Sequence, residues 1–417
     1  MAGGRFAMLS ASPPEPNGSA GAGGGSVQPH FLYGEGVEMN GGVFMERRKF
    51  LQLSLMAGGV AVLQAALPKV SAAQLRTVAL EECLDLSPLD MAERSEIVMQ
   101  SWNFLRRAAS EIGNASLRQA VFGILDNPAP TFTEPLSSEK DREEVYHRLQ
   151  AEGAVDEISF DEFLPPVEDP SKSPWPFLAG PGSGYQSHHA YPGGLVTHTA
   201  VNTMVSVSLY EHYKTVFDFN LDRDVVIASQ LLHDLHKPWV LQWQEDGGSR
   251  TERKLAGTGE HHVYSVAESL HRGLSAEVCV AQACAHNHPG FPKDEEGPVC
   301  WLKAAAILTG KDPVKAGLLD SDGKTLPVPR RMENFVCHLG DHDWVLTVPA
   351  AKWVIEEMER IAVKDYGMSE PDLKGRRFNQ LRNYVFSQAS IMALYHVLST
   401  RGSDALSHTV RSIVIPA

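Results

Sequence analysis

The sequence predicts an all-α fold, and two observations carry that expectation: apolar residues recur at helical intervals in one segment after another, and continuous alternation of β-branched with polar residues is scarce. No GxGxxG or GxxxxGK[ST] fingerprint is present, which argues against nucleotide binding of the Rossmann or P-loop kind. Taken in order, residues 91–112 read as a helix with Ile97, Val98, Trp102 and Leu105 on its apolar face, and 115–125 continue the pattern until Asn127-Pro-Ala-Pro stops it. A short helix is expected over 141–152. The run 165–181 holds six prolines and reads as a linker or strap. Further helices are expected over 194–213, 223–236, 261–272, 276–286, 299–309, 332–346, 350–366 and 374–398. The organisation that follows is an N-terminal helical region over 74–164, a Pro-rich linker over 165–184, a central domain over 185–346, and C-terminal helices over 347–417 that pack on it.

Composition narrows the function. The 417 residues carry 51 acidic against 37 basic groups, a formal charge of −14. No lysine-rich block offsets it, which argues against a large nucleic-acid surface and for a small substrate. Five cysteines without CxxC spacing signal neither a zinc knuckle nor a fully paired disulfide framework. Cys279 and Cys284 read as packing residues. The 17 histidines are the unusual feature, and eleven of them fall between His188 and His288.

Residues 1–44 are too rich in glycine to bury a core and read as a disordered extension, or as sequence upstream of a true start at Met45 or Met39. The segment 45–73 places Arg47 and Arg48 before a mild apolar run from Phe50 to Leu67, then Lys69 and Val70-Ser-Ala-Ala. It resembles a twin-arginine export signal. That resemblance implies the export machinery as a partner, a periplasmic or secreted location, a cytoplasmic one if the signal is unused, and no stable membrane anchor after cleavage.

Histidines and aspartates recur in an ordered set. His188-His-Ala-Tyr-Pro-Gly-Gly-Leu-Val-Thr-His198-Thr leads a glycine turn into a helix bearing His198. Then come Leu232-His233-Asp234-Leu-His236-Lys237, the pair His261-His262, Ala285-His286-Asn-His288, and His338-Leu-Gly-Asp341-His-Asp343. Imidazole with carboxylate suits borderline or hard divalent ions, and successive helices of a bundle can each deliver such a group inward. This order resembles the HD-domain superfamily of metal-dependent phosphohydrolases, in the branch whose first motif reads HHAYxGGLxxHT. The resemblance covers roughly residues 185–345.

It implies an HD-domain helical bundle with additional N- and C-terminal helices. It also implies one or two divalent ions (Fe, Mn, Zn, Ni or Co) held by His198, His233, Asp234 and Asp341, with His261 and His286 as the further ligands of two-metal members. Asp312, His262 and His288 stand as alternatives to Asp341, His261 and His286. Asp341 is preferred over Asp312 because Phe335-Val-Cys-His-Leu-Gly-Asp resembles the family's ending and reads as mid-helix. His236 departs from the glycine usual at that position. Asp234 and Lys237 are the expected catalytic pair, orienting the attacking water and steadying the phosphate. His188, His189, Tyr191, Arg330 and Arg331 are candidate contacts to a small anionic substrate. The activity implied is hydrolysis of a small phosphomonoester or phosphodiester. Two rivals stand beside it: an HD-domain di-iron oxygenase, and a non-catalytic ligand-binding module.

Overall fold

The computed structural model describes residues 75–155 and 158–417, and these are mainly helical, with only two two-stranded pairings among them. The extension 1–44 and the signal-like segment 45–73 lie outside the described residues. Among the described residues no helix is long and apolar enough to cross a membrane.

The first long helix, α1 (Glu96–Ser110), begins at Ser95, whose side chain accepts from the Val98 N–H. That cap divides the single helix expected over 91–112, leaving Pro88–Glu93 as a separate turn-length piece. Helix α2 (Gly194–Phe217) starts after Gly193 in the left-handed region, φ 83°. A Cβ on Gly194 would stand 1.9 Å from the His189 carbonyl oxygen, so only glycine lets the preceding loop close against the helix start. Helix α3 (Arg223–Leu232) is capped by Asp222, which accepts from two backbone N–H groups. Its buried Leu231 and Leu232 contribute about 1.5–3 kcal/mol each.

Four more helices complete the central bundle: α4 (Glu260–His271), α5 (Ala276–Cys284), α6 (Pro292–Leu308) and α7 (Met332–Gly340). Helix α2 packs against α1, α3 and α7, while α5 packs against α3, α4, α6 and α7. The approach of α7 to α2 is close. A Cβ on Gly340 would lie 1.9 Å from Ser206 Oγ, so this glycine brings the residue after it up to α2. All five cysteines are free, and Cys279 and Cys284 are buried.

The C-terminal helices α8 (Trp344–Tyr366) and α9 (Arg376–Ala389) form a second core with the start of the described chain. Leu80, Met91, Val354, Met358, Phe378 and Leu381 belong to it, and so does Tyr191 from the loop before α2. Val78–Ala79 pairs in parallel with Val414–Ile415. Two further expected helices are broken. The segment 374–398 divides at Ser390, φ 57°, and 332–346 divides at Asp341. Helix α6 begins at Pro292, earlier than expected, because Pro at N1 and the Asp294 side chain open it.

Candidate metal centre

The histidine and aspartate set gathers where helices end. His198 lies in the opening turns of α2, and His233 caps α3 at its C-terminus. The chain turns through 233–236 before the short helix Lys237–Val240. Adjacent residues of a regular helix point about 100° apart. The turn removes that conflict and lets His233 and Asp234 face one centre. His261 stands at the start of α4, His286 just past α5, and Asp341 closes α7. Asp341 is therefore a helix-terminal residue and not the mid-helix one expected.

Asp234 Oδ2 lies 3.1 Å from His198 Nε2 and 3.2 Å from His233 Nε2. Its Oδ1 lies 3.1 Å from His261 Nε2 and 3.8 Å from His286 Nε2. Asp341 also faces both sides, with Oδ1 3.2 Å from His198 Nε2 and Oδ2 3.2 Å from His286 Nδ1. Three overlapping groups of the described residues have the spacing to hold a cation: His198, His233 and Asp341; Asp234, His261, His262 and His286; and His189, His198 and Asp343. The donor chemistry fits that use. Asp234 Oδ1, His261 Nε2 and His286 Nε2 are buried facing one another with no hydrogen bond to any group outside this cluster, which is costly unless a ligand satisfies them. Imidazole nitrogen and carboxylate oxygen together suit a divalent ion of the manganese, iron or zinc type.

The electrostatics agree. Burial opposes ionisation of Asp234, yet the charges of His233 and Lys237 hold its carboxyl well below the usual range. Burial likewise works against a charged His233, but Asp234 and Asp341 push it up to about 9. The carboxylates recruit positive charge, and a divalent cation supplies it without protons.

Neighbouring groups orient this set. His233 Nδ1 donates to the Gln230 carbonyl at 2.7 Å, and His261 Nδ1 contacts the Glu252 carboxylate. Asn202 Nδ2 donates to Asp341 Oδ1 at 2.6 Å and lies 3.1 Å from His198 Nε2. Lys237 Nζ donates to Asp234 Oδ2 and to the Gly182 carbonyl. A cavity of about 380 Å³ opens over the cluster, lined among others by His188, Lys237, Glu252, His338 and Trp344. Burial and the neighbouring His342 bring His338 down to about 4, so it is a neutral imidazole at neutral pH.

The remaining sequence-predicted residues divide. His262 joins the second group, its ring stacked on His286 with Nδ1 2.6 Å from Thr258 Oγ1. His288 is half-buried, 3.8 Å from Asp294 and outside both of the groups that include His233 or His261. Asp312 is exposed and accepts from the N–H groups of Val314 and Lys315, away from the cluster. Arg330 pairs bidentately with buried Glu295, and Arg331 pairs with Glu333, so their charges are committed and neither lines the cavity. His188 lines the cavity, whereas His189 and Tyr191 turn inward. His236, where the resemblance implies a glycine, packs on Phe132 and Trp239, 3.7 Å from Glu268. Asn202 and Glu252 were not anticipated, and Asp343 stood in the ordered set with no role assigned to it. Asn202 was legible as the residue four after His198, on the same helical face; Glu252, in a loop, carried no signal.

The chain is similar to the dihydroneopterin 2',3'-cyclic phosphate phosphodiesterase of Methanocaldococcus jannaschii, with 32% identity over 99 residues. The match covers 24% of this chain and 39% of that relative's length. No family model matches the chain, and no solved structure matches it.

Proposed function

We propose that this chain is a metal-dependent phosphohydrolase acting on a small phosphoester, with cyclic phosphodiesters the first class to test. The observation that carries this reading is the placement of Asp234, whose two oxygens face two different histidine groups inside a buried, cation-seeking cluster. The partial similarity to a phosphodiesterase supports it. His198, His233 and Asp341 would hold one ion, and His261 and His286 a second, with Asp234 between them. Divalent ions supply charge that neutralises phosphoryl oxygens and eases deprotonation of an attacking water.

The chain's own residues do the rest. Lys237 spends two of its three N–H donors on Asp234 and Gly182, which fixes the carboxylate and leaves one donor for a phosphoryl oxygen in the cavity. His338 donates Nδ1–H to the Ala285 carbonyl at 3.0 Å, which leaves Nε2 to accept a proton or hydrogen bond from substrate. We place the activity outside the cytoplasm, on the signal-like residues 45–73; cell fractionation tests this.

The decisive experiment compares wild type with Asp234→Ala for metal content and for phosphate-ester hydrolysis, using nucleoside 2',3'-cyclic phosphates and bis(p-nitrophenyl) phosphate. Bound metal and turnover are expected to be lost together. Hydrolysis that survives the substitution overturns the mechanism. Two irons per chain with dioxygen uptake and no ester cleavage would replace it with oxidative chemistry.

A further inference from the structure

We propose that Asp343 is a positioning residue that orients His198 for metal binding and is itself clamped by His189. The inference rests on the metal-centre reading above and extends it to residues outside the ligand set.

The two nitrogens of His198 face opposite ways. Nε2 points at Asp234 and Asp341, at 3.1 and 3.2 Å. Nδ1 points at Asp343 Oδ1 at 3.3 Å, and both of those atoms are buried with no other hydrogen-bond partner. The second oxygen of Asp343 lies 2.7 Å from His189 Nε2. His189 Nδ1 is 3.3 Å from the Tyr191 hydroxyl, which is 2.8 Å from Thr197 Oγ1, and Thr197 donates to the Gly194 carbonyl at 3.0 Å. The His189 main chain is fixed as well: its carbonyl accepts from the Gly182 N–H at 2.8 Å, and its φ is 54°. A continuous chain of polar contacts thus runs from the glycine turn to the far side of a metal-facing imidazole.

An imidazole can present a lone pair inward only if its proton sits on the other nitrogen. A carboxylate on that nitrogen selects the tautomer, fixes the ring plane and raises the basicity of the ligating atom. Two other histidines of the cluster repeat the arrangement. His261 has Glu252 behind its Nδ1, and His233 has the Gln230 carbonyl. Asp343 stands on the face of His198 away from the centre, which suits orientation of a ligand and not ligation of the same ion.

The test is divalent-cation affinity of the full chain, by chelator competition with Mn²⁺ or Zn²⁺, together with the visible spectrum of the Co²⁺ form. Asp343→Asn is expected to weaken affinity for one ion by roughly 10–100-fold and to alter the cobalt bands. Its metal-free melting temperature should stay near that of metal-free wild type, a result that a purely structural role would not give. His189→Asn, a residue tolerated at positive φ, releases the clamp on Asp343 and is expected to shift affinity in the same direction by less. It carries the comparison if Asp343→Asn cannot be purified folded. Wild-type affinity and an unchanged cobalt spectrum in both variants overturn the assignment while leaving the metal centre intact. A wild-type chain that binds no divalent cation overturns both.

Discussion

Lowering the pH, or replacing Glu268 by Gln, should remove a defined part of the stability of this fold. Glu268 is fully buried on α4. Its carboxylate accepts from Thr131 Oγ1 at 2.5 Å, the Phe132 N–H at 3.0 Å and Arg272 Nε at 2.5 Å, with His236 3.7 Å away. Burial raises its pKa, but the contacts with His236, Thr131 and Arg272 outweigh burial and bring it from 4.5 to about 2. Because the folded value lies below the unfolded one, the contribution is fully present above the unfolded pKa. It is lost as pH falls through 4.5 toward 2. Each pKa unit corresponds to ~1.4 kcal/mol, so the difference amounts to about 3 kcal/mol. Denaturant unfolding of wild type and Glu268→Gln at pH 7, 5 and 3.5 measures it. The variant should be less stable by about 3 kcal/mol at pH 7, where it leaves Arg272 without its buried partner, and the gap should narrow with acid. A gap that stays constant with pH would refute the assignment of this pH dependence to Glu268.

Two further substitutions separate structural from functional roles. Arg330→Ala should leave KM for an anionic ester within about twofold, yet destabilise the fold by about 3 kcal/mol because buried Glu295 loses its partner; steady-state kinetics and urea unfolding check the two halves. Asp341→Asn should abolish retention of at least one divalent ion, while Asp312→Asn leaves metal content and melting temperature unchanged, as elemental analysis and thermal melts will show.

Much of the helical architecture was readable because periodicity is local. Apolar spacing marked α2, α3, α4 and α5 with small errors, whereas the breaks at Ser95 and Ser390 depend on a cap and a backbone twist that periodicity does not encode. Arg330 and Arg331 looked like an anion contact because a basic pair advertises charge. Whether that charge is free depends on Glu295 and Glu333, and for Glu295 the partner is 35 residues distant in sequence.

By itself, the sequence determined an all-α chain and an ordered run of histidines and aspartates whose resemblance to a known family implied His198, His233 and Asp234 as ligands and left Asp341 or Asp312, His261 or His262, and His286 or His288 open. Residue type and order along the chain carry that resemblance, and they survive without coordinates. Only the tertiary structure decided that the groups meet at helix ends, that Asp341 and not Asp312 joins them, and that Asp343, Glu252 and Asn202 stand around them. The reason is geometric. Hydrogen bonds and ion pairs act over about 3–4 Å, and which side chains come that close is set by how helices pack, through contacts such as Gly340 on Ser206.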